Sequence, residues 1–179
     1  MSGHQFRDSE LGVASESRRG GISSGQAWIL LGLVVVLTAF VRVRLLEIPL
    51  ERDEGEFAYM GQLMLRGIPP YLQAYTMKLP GTHAAYALVM GALGQTVEAI
   101  RIGLILVNAA TTLVLFCLVR RLFGNLTGFG AGASFALLSL SPSVLGTSAH
   151  ATHFVLLPAL GALLVLAKAG ESIPASSQN

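Results

Sequence analysis

The stretch AWILLGLVVVLTAFVRVRLL, residues 27–46, is followed shortly by ERDEGEF, residues 51–57. The first is an apolar run of the length a membrane crossing requires, since about 20 helical residues span about 30 Å of hydrocarbon. The second places Glu51, Asp53, Glu54 and Glu56 where that helix leaves the bilayer. Solvation accounts for a few charges there, but not for so dense an acidic cluster. Phe57, Tyr59, Met60, Leu63 and Met64 follow at helical spacing. The reading is a spanning helix, then an amphipathic helix lying along the membrane and holding carboxylates over its surface.

The bulk composition agrees. Of the 179 residues 53% are hydrophobic and only 12% charged, against about 25% charged in a soluble domain. The net charge of +2 is too small to suggest nucleic acid, and none is expected as a partner. The single Cys117 lies in an apolar run, so no intrachain disulfide forms and the redox compartment is not legible.

Working outward, residues 1–25 are polar and rich in Ser and Gly, and read as a disordered tail. The apolar run after them is too long for a signal peptide's h-region, so it is kept as an anchor. Arg42 and Arg44, near its far end, are placed to snorkel to the interface. Residues 47–99 form the long outer loop. Within it Asp53 and Glu56 have the spacing of a capping box. The spacing predicts a helix over 54–66 with Gly67 as its left-handed stop and Pro69-Pro70 beyond. Residues 71–81 read as irregular. Residues 82–94 are apolar but too short to cross, which suits an interfacial or re-entrant segment. Further spans are predicted at about 100–122, 126–140 and 147–168, with a polar tail over 170–179. The fold class is therefore all-α: a polytopic transmembrane bundle of about four spans over 26–169, with amphipathic juxtamembrane helices in the first outer loop. Arg18-Arg19, Arg120-Arg121 and Lys168 then share one side. The positive-inside rule makes that side cytoplasmic and the 47–99 loop extracytoplasmic, in the cytoplasmic (plasma) membrane.

The order Asp53-Glu54, then Gly67-Ile68-Pro69-Pro70-Tyr71, Lys78-Leu79-Pro80-Gly81, Ala92-Leu93-Gly94 and Arg101 resembles the N-terminal part of polytopic glycosyltransferases of the GT-C fold, family 39. These are the protein O-mannosyltransferase and aminoarabinose-transferase type. The resemblance covers about 27–168. It implies an enzyme that takes a sugar from a polyprenyl-phosphate carrier and transfers it, with inversion, to a protein or lipid acceptor on the outer membrane face. It also implies many more spans, so the chain is expected to be an N-terminal part, or a truncated product, that is inactive alone. By resemblance Asp53 matches the acidic residue acting near the acceptor hydroxyl, and Lys78 a lysine that binds the carrier phosphate. Two departures stand out. Leu79-Pro80 replaces a pair of prolines, and the second outer loop reads Ala149-His150-Ala151-Thr152-His153-Phe154, without a carboxylate.

Inverting transfer needs a base at the acceptor hydroxyl and charge compensation at the departing phosphate. Asp53 is the candidate base, and Glu54 is placed to orient it or a metal. Glu51 and Glu56 read as solvated or capping. The plain alternative for Asp53 is an N-cap. Lys78 and Arg101 are candidate donor-phosphate ligands, with interfacial anchoring as the alternative. His150 and His153 share a helix face and are candidate ligands for a divalent cation together with a first-loop carboxylate; interfacial polar residues are the alternative. His83 reads as an interfacial residue. A competing class is a non-catalytic membrane scaffold. A transporter fragment ranks last, because charged residues well inside the spans are lacking.

Overall fold

The computed structural model describes residues 21–172. The tails assigned to 1–25 and 170–179 lie mostly outside that range, as does Arg18-Arg19. The described elements are α1 (Ser24–Val43), α2 (Arg52–Leu65), α3 (Pro80–Leu93), α4 (Val97–Phe123), α5 (Asn125–Leu138), a 3₁₀ turn at Pro142–Val144 and α6 (Ala151–Ser172). No strand occurs among the described residues.

Among the described residues three helices are long and apolar enough to cross a membrane: α1, α4 and the Ala151–Gly170 part of α6. The crossing expected at 126–140 is the 14-residue α5, which at 1.5 Å per residue is about 21 Å long and shorter than the hydrocarbon core. The structure thus supports a helical bundle with three spanning helices, α5 packing beside them.

Local signals explain most helix ends. Ser23 and Gln26 cap α1 reciprocally, the Gln26 N–H donating to Ser23 Oγ at 3.2 Å and the Ser23 N–H to Gln26 Oε1 at 2.9 Å. Thr96 accepts from the Ala99 N–H at the start of α4. Helix α2 stops as the sequence requires: Gly67 takes φ 77°, and the Ile68 N–H reaches back to the Leu63 carbonyl at 3.0 Å, closing a Schellman motif. Its start differs from the expected capping box. The helix begins at Arg52, and the Glu51 N–H donates to Glu54 Oε2 at 2.8 Å. Asp53 is therefore inside the first turn and free of capping duty. The cause is tertiary, because Glu54 is pinned in place from across the bundle.

Helix α4 is the hub and packs against α1, α3, α5 and α6, while α2 packs on α3. Small residues let the backbones close up. A Cβ at Gly128 would stand 2.8 Å from Arg120 Cα, and one at Gly61 3.0 Å from the Ala87 nitrogen. Polar side chains inside α4 bond their own helix: Thr111 to the Val107 carbonyl, Thr112 to Asn108, and Asn108 to Leu104. A core of Phe57, Tyr86, Met90, Ile100, Leu104 and Ala149 joins α2 and α3 to the end of the bundle.

Two ends are defined by contacts. At one, Arg120 donates to Ser24 Oγ at 2.9 Å and Asn125 to the Ile22 carbonyl at 3.2 Å. We term this the basic end. At the other, the carboxylate end, Arg42 donates to the carbonyls of Gly146 and Ser139 at 2.6 and 2.7 Å. Arg42 is only 5% exposed. It does not snorkel; it turns inward because the 139–146 segment supplies carbonyls that no helix uses.

Candidate functional site

The carboxylate end gathers residues from α2, α3, α4 and the two long connections. Asp53 and Glu54 are neighbours in sequence, yet a helix turns successive side chains by about 100°, and they serve opposite surroundings. Glu54 points inward and is fully buried. Arg101 meets it through two nitrogens, at 2.6 and 3.0 Å. The Ala149 N–H also donates to Glu54. Arg101 further donates to the carbonyls of Thr147 at 3.0 Å, Ile48 at 3.3 Å and Pro49 at 3.1 Å. The Tyr86 hydroxyl donates to the Ala149 carbonyl at 2.6 Å. Burial, with the Glu54 charge next, pushes the Tyr86 phenol far above its ordinary range, so it stays a donor. This network clips four chain segments together at one charge pair.

Asp53 points outward. Lys78 Nζ lies 2.9 Å from its Oδ2 and 3.4 Å from Glu56 Oε2. Thr76 donates to Glu56 Oε1 at 2.5 Å, and the Lys78 N–H donates to Thr76 Oγ1 at 3.2 Å. Tyr71, which takes the left-handed φ of 69°, donates through its hydroxyl to the Lys78 carbonyl at 2.8 Å. The 71–79 connection is thereby folded back over the start of α2. The hydrogen bond from Lys78 holds the Asp53 carboxyl below its usual range, with the charges of Lys78 and Arg52 adding to it.

Phe57 is the floor of this cluster. Lys78 Nζ sits 4.5 Å from its ring centroid, a cation–π arrangement. The rings of His83, Tyr86 and His150 lie 5.7, 5.5 and 6.5 Å from it. His83 is completely buried and neither ring nitrogen has a hydrogen-bond partner. Desolvation lowers its pKa, opposed by Glu56 and reinforced by Lys78, so it is a neutral ring beside the charge cluster. This corrects its reading as an interfacial residue.

No family model, curated protein or solved structure matches this chain.

Of the site residues expected from sequence, Asp53 and Lys78 come together. Arg101 is 4% exposed and engaged by Glu54 and backbone carbonyls, so it braces the site rather than facing solvent. His150 and His153 part company: His150 Nδ1 lies 3.3 Å from Thr152 Oγ1, and His153 Nε2 lies 3.4 Å from the Leu145 carbonyl. Among the described residues no three His, Cys, Asp or Glu side chains converge as a metal would need. Glu56, which the sequence marks as solvated or capping, and Thr76, which it does not single out, also belong to the cluster. Glu56 lies about a helical turn from Asp53 on the same face, a spacing that the sequence shows and that also suits a capping box.

Proposed function

We propose that this chain carries the acceptor-side base and the donor-phosphate lysine of a membrane glycosyltransferase using a polyprenyl-phosphate sugar. The observation that carries the reading is the Asp53–Lys78 pair at 2.9 Å, partly exposed at the rim of the bundle. It unites a carboxylate and a cation that are distant in sequence and that the resemblance assigns to the two halves of one reaction. The short α5 serves as a fourth crossing in this reading. The carboxylate end faces out of the plasma membrane, where a protein or lipid acceptor arrives.

The pair is a resting state. A carrier phosphate competing for Lys78 takes the cation from Asp53. The carboxyl loses the interaction that depresses its pKa and becomes a stronger base, where an acceptor hydroxyl needs one. The hydroxyl oxygen then attacks the sugar's anomeric carbon from the face opposite the phosphate. Its proton passes to Asp53, and the carbon–oxygen bond to phosphate breaks. Lys78 compensates the charge left on the phosphate. The buried Glu54–Arg101 pair fixes α2, and with it the direction of Asp53.

The test is binding of a radiolabelled polyprenyl-phosphate mannose to the purified chain in lipid nanodiscs, with transfer measured in native membranes for the full-length enzyme carrying each change. Lys78→Ala is expected to weaken donor binding. Asp53→Asn is expected to bind donor at least as well, because Lys78 is released, while transfer falls by about 10²–10⁴-fold. Donor binding indifferent to Lys78→Ala removes the reading. A second reading, a non-catalytic scaffold, is favoured by α6, of whose most apolar window only 6% is buried. Such a face suits assembly with other helices. An absence of donor binding, with α6-dependent capture of a defined membrane partner, selects it.

A further inference from the structure

The basic end of the bundle holds a pocket that the proposed reaction does not use. Its volume is about 500 Å³, and its described lining is Cys117, Arg120, Arg121, Asn125, Leu164 and Lys168. We propose that it binds the phosphate headgroup of an anionic phospholipid from the surrounding leaflet.

The pocket is built where three helix ends meet: the last turns of α4 and α6, which run parallel, and the first residue of α5. Three of its six described lining residues, Arg120, Arg121 and Lys168, carry basic side chains. The tight turn at Gly124 sets Asn125 against Arg120, whose Nε donates to Asn125 Oδ1 at 2.9 Å. The guanidinium of Arg120 also lies 5.9 Å from the Trp28 ring centroid and 5.7 Å from that of Phe116. It is thereby fixed at the pocket wall.

The chemistry is graded along the membrane normal, and this selects an amphiphile over a free ion. Cys117 precedes Arg121, and Leu164 precedes Lys168, by four positions, so the apolar wall lies about one helical turn, roughly 6 Å, deeper than the cationic rim. Flanking Leu164 on α6, Leu163 and Val165 are 52% and 64% exposed and offer apolar surface for acyl chains. Trp28, 42% exposed, stands at the same level, where interfacial aromatic residues settle. Basic pockets between helix ends take phosphate headgroups by these interactions.

The experiment uses the full chain in a neutral detergent, with native mass spectrometry of added phosphatidylglycerol and, separately, phosphatidylcholine. Phosphatidylglycerol is expected to be retained in preference to phosphatidylcholine. The pair of substitutions Arg121→Gln and Lys168→Gln should weaken it by about twenty-five-fold, from roughly fivefold per cation near a membrane surface. Arg66→Gln, at the opposite end, should leave it unchanged. Leu164→Trp fills the inner wall without altering charge and should also lower retention, which decides the matter if the double variant fails to fold. Equal retention of the two lipids, undiminished retention in the folded double variant or in Leu164→Trp, or displacement by inorganic phosphate at the concentration at which phosphatidylglycerol binds, each overturns the proposal. The last would show a free-anion site.

Discussion

Replacing Arg101 by Met tests the view that one buried charge pair organises the carboxylate end. The substitution keeps the length and apolar stem of the side chain and removes its donors. Glu54, fully buried, then loses two contacts at 2.6 and 3.0 Å. The carbonyls of Thr147, Ile48 and Pro49 lose a donor as well. Breaking a buried pair by removing one partner costs about 3–5 kcal/mol. Each neutral acceptor left unsatisfied adds about 1 kcal/mol. Two backbone N–H groups, those of Glu51 and Ala149, stay with Glu54, which offsets the added cost of the carbonyls and keeps the total near the middle of the roughly 3–5 kcal/mol range. We expect about 4 kcal/mol for Arg101→Met and about 3 kcal/mol for Glu54→Gln. The double variant Glu54→Leu, Arg101→Met should fall short of the summed losses by about 2 kcal/mol, because no lone charge is left behind. The assay is denaturant unfolding in mixed micelles followed by far-ultraviolet circular dichroism, completing a double-mutant cycle. Single losses under about 1 kcal/mol, or strict additivity, would refute the reasoning and reduce the pair to a surface-grade contact.

Other outcomes follow from the same geometry. Gly128→Ala should destabilise by about 1–3 kcal/mol through overpacking, since its Cβ meets Arg120 backbone atoms at 2.8 and 2.9 Å; the same unfolding assay reads it, and a neutral result would contradict the α4–α5 approach. His83 has a folded pKa below its ordinary 6.5, so the unfolded chain binds the extra proton and stability falls as pH drops from about 6.5 toward the folded pKa. In His83→Leu this acid-side loss should shrink, and an unchanged pH profile would exclude His83 as its source. The Asp53 carboxyl, held down chiefly by Lys78, contributes stability that is present above its unfolded pKa and lost as pH falls through its folded one. In Lys78→Ala its titration should move up toward the ordinary carboxylate range, as followed by carbon-13 NMR, and an unmoved titration would deny the pair. In a Cys117→Ser background, cysteines at Gln73 and Thr127 should label from opposite membrane faces with an impermeant thiol reagent; labelling from one face would overturn the topology.

The sequence by itself determined the helices. Three apolar runs of spanning length, the Gly67 stop with Pro69-Pro70, and the acidic amphipathic stretch from Glu51 depend on local chemistry, and each appears near its expected place, whereas the run at 126–140 forms only the 14-residue α5. Boundaries moved by a few residues where a distant partner intervened, as when Glu54, held by Arg101, capped Glu51 and left Asp53 within the helix. Placing Asp53 beside Lys78 was legible only as two members of one loop. Their contact depends on the 71–79 connection folding back through Tyr71 and Thr76. The tertiary structure alone decided which charges are buried. Arg42 and Arg101 have the same side-chain chemistry as the exposed Arg52, and Glu54 the same as the partly exposed Glu56, and one-dimensional periodicity does not reveal whether carbonyls from 48–49 and 139–147, or the Arg101 guanidinium, will be waiting for them. A buried charge is stable only where distant groups converge to satisfy it. Such convergence is a property of packing, which the order of residues along one chain segment does not record.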